Sequence, residues 1–212
     1  MTARTTHILL VFSAFLAGLV IFLGVILFVG NFQGTGVGPS AIGGPFKLID
    51  ENGKPVTEGD MKGRPFLVFF GYTHCPDICP TTLFEMSEVM HALGKDADRI
   101  GALFITVDPE RDTPAAMKDY LSSFDPHLRG ATGDAKAIDA AEKAYRVYAK
   151  KVPTDKGDYS MDHTALVYLM DKQGRFVAPF KLNRKPEEAA ADSSGRRLRL
   201  KGATKRPCLS IR

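Results

Sequence analysis

Residues 8–29 form an apolar run without a single charge and with one hydroxyl, Ser13. At about 1.5 Å per residue, a helix of that length crosses a ~30 Å hydrocarbon core, so the pattern predicts an N-terminal transmembrane helix. Cleaved signal peptides have shorter apolar regions that end in small residues, whereas this run continues into Gly30-Asn31-Phe32-Gln33 and reads as an uncleaved anchor. The glycine-rich stretch Gly34-Thr35-Gly36-Val37-Gly38-Pro39-Ser40, closed by Gly43-Gly44-Pro45, has the composition of a flexible tether. These limits divide the chain into an anchor at 1–30, a tether at 31–44 and a folded domain at 45–192.

Within the domain the pattern alternates between strand and helix periods. Phe46-Lys47-Leu48-Ile49-Asp50 and Pro55-Val56-Thr57, separated by an Asn-Gly turn, predict an edge hairpin. Phe66-Leu67-Val68-Phe69-Phe70, bounded by Pro65 and Gly71, is a buried strand. Leu83, Met86, Met90 and Leu93 then form the apolar stripe of a helix. The run from Ile100 to Val107 predicts a second central strand. It is followed by Thr113-Pro114, an N-cap and first-turn pair, and by a helix with Met117, Tyr120, Leu121 and Phe124 on its inner face. A third helix is expected over 135–150, with Ile138, Ala141, Tyr145 and Tyr148 on one side. Thr164 to Met170 and Phe176 to Phe180 predict two antiparallel strands around Asp171-Lys172-Gln173-Gly174. Strands alternating with helices, and a terminal hairpin, define an α/β sheet covered on both faces.

Charge sharpens the outline. The 212 residues carry a formal net charge of +4, but seven of the 28 Lys and Arg lie in 193–212, which has no acid, leaving 21 basic against 24 acidic residues elsewhere. The body is therefore mildly acidic, which excludes a nucleic-acid surface. The 193–212 segment reads as a basic tail, disordered or frameshifted, that breaks the helix begun at Pro186 and carries Cys208 incidentally. Arg4 and the amino terminus precede the apolar span and no Lys or Arg follows it until Lys47, which orients the N-terminus to the cytoplasm and the domain outward. Seven residues before the span leave no room for a transit peptide, so the expected place is a bacterial inner membrane with the domain in the periplasm.

The chemistry concentrates at Gly71-Tyr72-Thr73-His74-Cys75-Pro76-Asp77-Ile78-Cys79-Pro80, at the turn from the first buried strand into the next helix. Free N–H groups and the positive end of a helix dipole favour thiolates, so both sulfurs are expected to ionise easily. With Cys79 in the first helical turn, the two cysteines are four apart and can face each other, to form a disulfide or to chelate one soft metal ion. The adjacent His74 is not taken as a ligand, and Asp77 reads as a turn residue. The acids from Asp108 to Asp112 read as an ion-paired loop around Arg111, near the cysteines because both segments follow neighbouring parallel strands.

Together with Val107-Asp108-Pro109-Glu110-Arg111-Asp112-Thr113-Pro114 and Asp162-His163-Thr164, this motif resembles the Sco/SenC family of membrane-anchored copper chaperones, over about residues 42–190. The resemblance implies a thioredoxin-like domain, a central mixed sheet flanked by helices. It also implies copper bound by Cys75, Cys79 and His163, and a role in maturing the dinuclear copper site of cytochrome c oxidase. Implied partners are the copper-bearing oxidase subunit, a copper donor protein and the membrane. Two thiolates and an imidazole suit Cu(I), and a further weak ligand accommodates Cu(II). Asp162 is expected to orient the imidazole.

A metallochaperone, rather than an enzyme, is the reading these residues favour. A membrane-anchored thiol–disulfide oxidoreductase of the thioredoxin or peroxiredoxin type is the alternative, with Cys75 and Cys79 as its redox disulfide. Against it, three residues separate the cysteines instead of two, and exchange chemistry needs no distant histidine. A permanent disulfide and a zinc site, Cys₂His plus water, are the remaining alternatives.

Overall fold

The computed structural model describes residues 15–20, 22–25, 42–155 and 157–193. The chain divides into two compact units, 1–39 and 40–212. In the first, residues 15–20 and 22–25 are helical, and the rest of the expected span lies outside the described residues. Among the described residues no helix is long and apolar enough to cross a membrane. Most of the expected tether, and the tail beyond residue 193 with Cys208, also lie outside them.

The second unit is built on a seven-stranded mixed sheet in the order β2-β1-β5-β4-β3-β8-β9. Its centre is β3 (Phe66–Gly71), parallel to β4 (Gly101–Thr106) from Phe66 opposite Gly101 to Gly71 opposite Thr106. Every residue of both strands is buried. Because successive side chains of a strand point to opposite faces, helices must cover the sheet on both sides. The edge hairpin of β1 (Lys47–Asp50) and β2 (Pro55–Thr57) forms as its Asn-Gly turn predicts, and β8 (Val167–Met170) pairs antiparallel with β9 (Phe176–Pro179).

Short α1 (Glu58–Met61) leads into β3, and the cysteine helix α2 (Ile78–Leu93) leaves it, with Leu83, Met86 and Met90 buried on the expected stripe. A 3-10 turn (Gly94–Arg99) returns the chain to β4. Helix α3 (Pro114–Leu121) starts as predicted: the Thr113 hydroxyl accepts from the Ala116 N–H at 3.2 Å and Pro114 opens the first turn. Helix α5 (Pro186–Ser193) packs on α2.

Three departures from the periodicity bear on the site. Strand β5 (Leu128–Thr132), which pairs parallel with β4, is hidden by its composition, LRGAT. A Cβ at its Gly130 would lie 2.7 Å from the tip of the Leu121 side chain of α3, so a larger residue there would make that side chain shift. Helix α4 (Ala135–Tyr145) ends five residues before the expected limit, because Arg146 takes a left-handed conformation (φ 54°) and closes it. Tyr145 is buried as expected, but Tyr148, beyond the end, is exposed. The chain instead forms a separate antiparallel hairpin, β6 (Ala149–Pro153) with β7 (Tyr159–His163), so His163 closes β7 rather than opening the next strand.

At the opposite end of β4 and β5 from the cysteines, His127 lies between two carboxylates, with Nδ1 2.7 Å from Asp125 and Nε2 3.2 Å from Asp98. The Asp125 hydrogen bond is the main reason its pKa is raised above the ordinary 6.5. A group whose folded pKa is raised stabilises the fold fully below its unfolded value and loses that contribution as pH rises through the folded one. His127→Gln should therefore remove a fall in the urea unfolding midpoint that wild type shows as pH rises from below 6.5 through the raised value.

Candidate metal centre

Two cysteines and one histidine converge at the C-terminal end of the central strands. The ligand atoms of Cys75, Cys79 and His163 lie within 4.8 Å of one another, the one such cluster of three or more His, Cys, Asp or Glu among the described residues. Each donor arrives from a different piece of backbone. Cys75 ends the turn after β3, half-buried against the core. Cys79 is the second residue of α2 and fully buried, and its backbone N–H, one of the helix's unpaired first donors, points at Cys75 Sγ, 3.3 Å away. Pro80 is tolerated at the third position because its missing N–H would have had no intrahelical partner. His163 comes from the pendant hairpin and brings Nε2 to 3.6 Å from Cys79 Sγ.

Space for Cys79 is made by Gly71, where a Cβ would fall 2.8 Å from Cys79 Sγ and 2.8 Å from the Phe104 ring. That depth reverses the expectation for this sulfur. Burial, followed by the hydrogen bond with Cys75, pushes the Cys79 thiol well above its ordinary value despite its place in the first helical turn. A helix terminus supplies of order 1 kcal/mol near its end, and desolvation of a buried thiolate exceeds it. Cys79 is therefore a thiol in the metal-free protein, and a metal held there would have to displace its proton.

The imidazole has a defined tautomer. His163 Nδ1 lies 3.2 Å from the Thr164 carbonyl, which can only accept, so Nδ1 carries the proton and the Nε2 lone pair faces the thiols. Burial lowers its pKa, opposed by that hydrogen bond and by the charge of Asp162, which favours the neutral ligand form. The rings of Tyr72 and Phe69 meet it edge-on at 5.8 and 6.4 Å. Asp162, expected to orient the imidazole, is on the outer face of β7, exposed and opposite Lys150. Neighbouring residues of a strand point to opposite faces, so the Thr164 carbonyl takes the orienting role and Asp162 acts through its charge.

The loop after β4 holds both halves in place. Buried Asp112 accepts from the Thr73 N–H at 3.0 Å, the Thr73 hydroxyl at 2.6 Å and the Thr106 hydroxyl at 2.6 Å, pinning the cysteine turn to the end of β4. Exposed His74 turns to this side, its Nδ1 3.0 Å from Thr73 Oγ1 and outside the three-donor cluster. Asp77 caps α2 by position, without a side-chain hydrogen bond. Arg111 pairs with Asp108, donates to the Tyr159 carbonyl at 3.0 Å and stacks 3.8 Å over the Tyr159 ring, tying the loop to β7. The Tyr72 and Ser160 hydroxyls, 2.9 Å apart, add a second tie. Tyr159 and Ser160 carried no sequence signal, since a polar, lysine-rich hairpin has no apolar alternation.

A thioredoxin-like α/β domain that presents two thiols and an imidazole at a strand-to-helix turn is the class defined by this fold and site. Residues 35–196 match the SCO1/SenC family, and the chain belongs to that family. The structure of Bradyrhizobium japonicum ScoI with copper bound is similar at a TM-score of 0.70 and 70% sequence identity, over 71% of this chain and 96% of that one. The SCO2-like protein of Rickettsia felis is 41% identical over 149 residues, 69% of this chain and 73% of that protein. Mouse SCO1 homolog, mitochondrial, is 43% identical over 157 residues, 73% of this chain and 55% of that protein.

Asp112→Ala would strand three donors at once, two of them hydroxyls. The expected loss is about 3 kcal/mol, given 1–3 kcal/mol for each buried group left unsatisfied and partial relief by water, and would be read as a lower urea midpoint at unchanged slope.

Proposed function

We propose that this protein is a copper metallochaperone that holds one copper ion between Cys75, Cys79 and His163 and passes it to the dinuclear copper site of a cytochrome c oxidase. The observation that carries the reading is the convergence of two sulfurs and one deprotonated imidazole nitrogen within 4.8 Å. Soft sulfur donors with a single nitrogen select Cu(I) among the available ions, and an added weak ligand would complete a Cu(II) site. Membership of the SCO1/SenC family and likeness to a copper-bound ScoI support the same metal.

The donor set also explains how cargo is held without being trapped. With the imidazole neutral and the buried Cys79 sulfur protonated, the two deepest donors of the metal-free site carry no charge, which favours the empty state. Binding Cu(I) exchanges thiol protons for the metal and leaves a net negative site, which the N–H groups at the start of α2 oppose. Full-length protein with reduced cysteines should bind one copper per chain. Each of Cys75→Ala, Cys79→Ala and His163→Ala should lower the affinity at least tenfold, about the 1.4 kcal/mol expected for loss of one ligand interaction. Copper retained at full affinity by His163→Ala in a chelator competition would refute the ligand set.

Oxidation is the natural gate, since the two sulfurs lie close enough to approach disulfide geometry. Disulfide formation should abolish copper uptake and reduction should restore it. A thiol–disulfide reductase acting on the oxidase cysteines is the second reading, favoured by the half-exposed Cys75 sulfur facing a helix N–H. Catalytic reduction of a disulfide substrate by His163→Ala at the wild-type rate would support that reading over the chaperone.

The anchor at 1–30 and tether at 31–44 place the domain on the periplasmic face of an inner membrane in this proposal. Deleting the anchor should spare copper binding and impair oxidase copper insertion in cells, because tethering raises effective concentration without adding a contact. Full oxidase activity in cells whose only copy lacks both Cys75 and Cys79 would count against the delivery role.

A further inference from the structure

One residue belongs to the cysteine turn and also reaches the imidazole. Tyr72 follows β3, and its carbonyl accepts from the Cys75 N–H at 3.3 Å. It is 2% exposed, and its ring meets the His163 imidazole at 5.8 Å with an interplanar angle of 88°. Its hydroxyl lies 2.9 Å from Ser160 Oγ, three residues before His163 on β7. Arg111 Cζ stands 5.8 Å from the centroid of the same ring, and Arg111 Nη2 is buried without a hydrogen-bond partner among the described residues. A guanidinium at that distance is attracted to an aromatic face, which steadies the ring from a second side.

The geometry points to Tyr72 as the positioning residue of the imidazole: its ring stands against His163, and its hydroxyl, bonded to Ser160, ties β7 to the cysteine turn. Aromatic rings at right angles attract through the positive edge of one and the negative face of the other, so the contact favours one placement of the imidazole. The hydroxyl bond matters because of where it acts. A two-stranded ribbon is marginal alone and opens locally at a lower free energy than the core. While it is open the sulfurs have no nitrogen donor beside them. The apparent affinity of a three-donor site therefore falls by the fraction of molecules in which the ribbon is closed. Tyr72 raises that fraction, and it acts from the turn that carries Cys75, so the nitrogen is placed relative to the sulfurs directly and not through the sheet.

The inference rests on His163 serving as a metal ligand, and its test separates the two. Backbone hydrogen exchange is followed in metal-free, reduced, full-length wild type, Tyr72→Phe and Ser160→Ala, purified in detergent. Phenylalanine keeps the ring and removes only the hydroxyl. The β7 amides should exchange about fivefold faster in either variant, the effect of one hydrogen bond between neutral groups. They should exchange no faster in the double variant, since both changes remove the same bond. Amides of β3 and β4 should keep their wild-type rates. Affinities for Cu(I) and for Cd2+, whose thiolate charge-transfer absorbance reports sulfur–metal bonds, are then measured against a chelator. Tyr72→Phe should bind each ion about two- to fivefold more weakly when His163 is present, and with no further loss in a His163→Ala background, where no imidazole remains to be placed. A residue that merely supports the fold would weaken both. Unchanged β7 exchange, acceleration shared with β3 and β4, or an affinity that is unchanged or falls equally with and without His163 would overturn the assignment. Wild-type affinity in His163→Ala alone would refute the ligand set and leave the placement of the ribbon to the metal-free exchange, in which faster β7 amides support it and unchanged ones overturn it.

Discussion

A carboxylate with no exposure to solvent organises this site. Asp112 lies at the end of the loop after β4, and burying its charge is tolerable because three donors from Thr73 and Thr106 meet it. Two of those bonds reach across to the cysteine turn, which otherwise has little regular backbone pairing between β3 and α2. Thr106 Oγ1 in turn accepts from the Asp108 N–H at 2.8 Å. Asp108 holds Arg111, and Arg111 holds Tyr159 on the hairpin that carries His163. Two acids of one loop thus place the sulfurs and the imidazole.

The neutral metal-free state follows from depth. Gly71 lets Cys79 sink beside Phe104, and the gain from core packing keeps its thiol protonated. Burial likewise keeps His163 neutral, and the Thr164 carbonyl aims its lone pair. Keeping the Cys79 sulfur protonated when the site is empty avoids placing a second negative charge beside Cys75, and a thiophilic cation would supply the compensation that ionising Cys79 needs.

Much of this was legible in the chain. Apolar runs set β3 and β4, an Asn-Gly turn set the first hairpin, and Thr113-Pro114 set the start of α3. The cysteine pair stood out by its position at a strand-to-helix turn, and the family resemblance pointed to His163, which the structure brings beside it. What failed shares one cause: those features depend on three-dimensional context that leaves no periodic mark. Arg146 ends α4 by a backbone conformation usually left to glycine, and the pattern through Tyr148 gave no warning. Strand β5 is buried between β1 and β4 despite an arginine and a glycine. With the β6–β7 hairpin missed, the strand that carries Asp162 and His163 went unseen, and with it the outward face on which Asp162 lies. Position in the first helical turn was readable for Cys79, whereas depth was not.

The three donors are not held alike. Both cysteines belong to the junction of the central strand with α2, the longest helix among the described residues, backed by core residues without exposure such as Phe69, Phe104 and Leu83. His163 belongs to a two-stranded ribbon outside the main sheet, whose first strand is mostly exposed and whose inward face is Tyr159, Met161 and His163. A two-stranded ribbon is marginal by itself, so its position rests on side-chain ties: Arg111 to Tyr159, Tyr72 to Ser160, and the Thr164 N–H to the Tyr148 carbonyl at 2.9 Å. Of the three donors, the imidazole is therefore the one that can withdraw without disturbing the core. Were copper held here as proposed, the two sulfurs would be the preorganised donors and the imidazole nitrogen the one that an incoming ligand would replace at least cost.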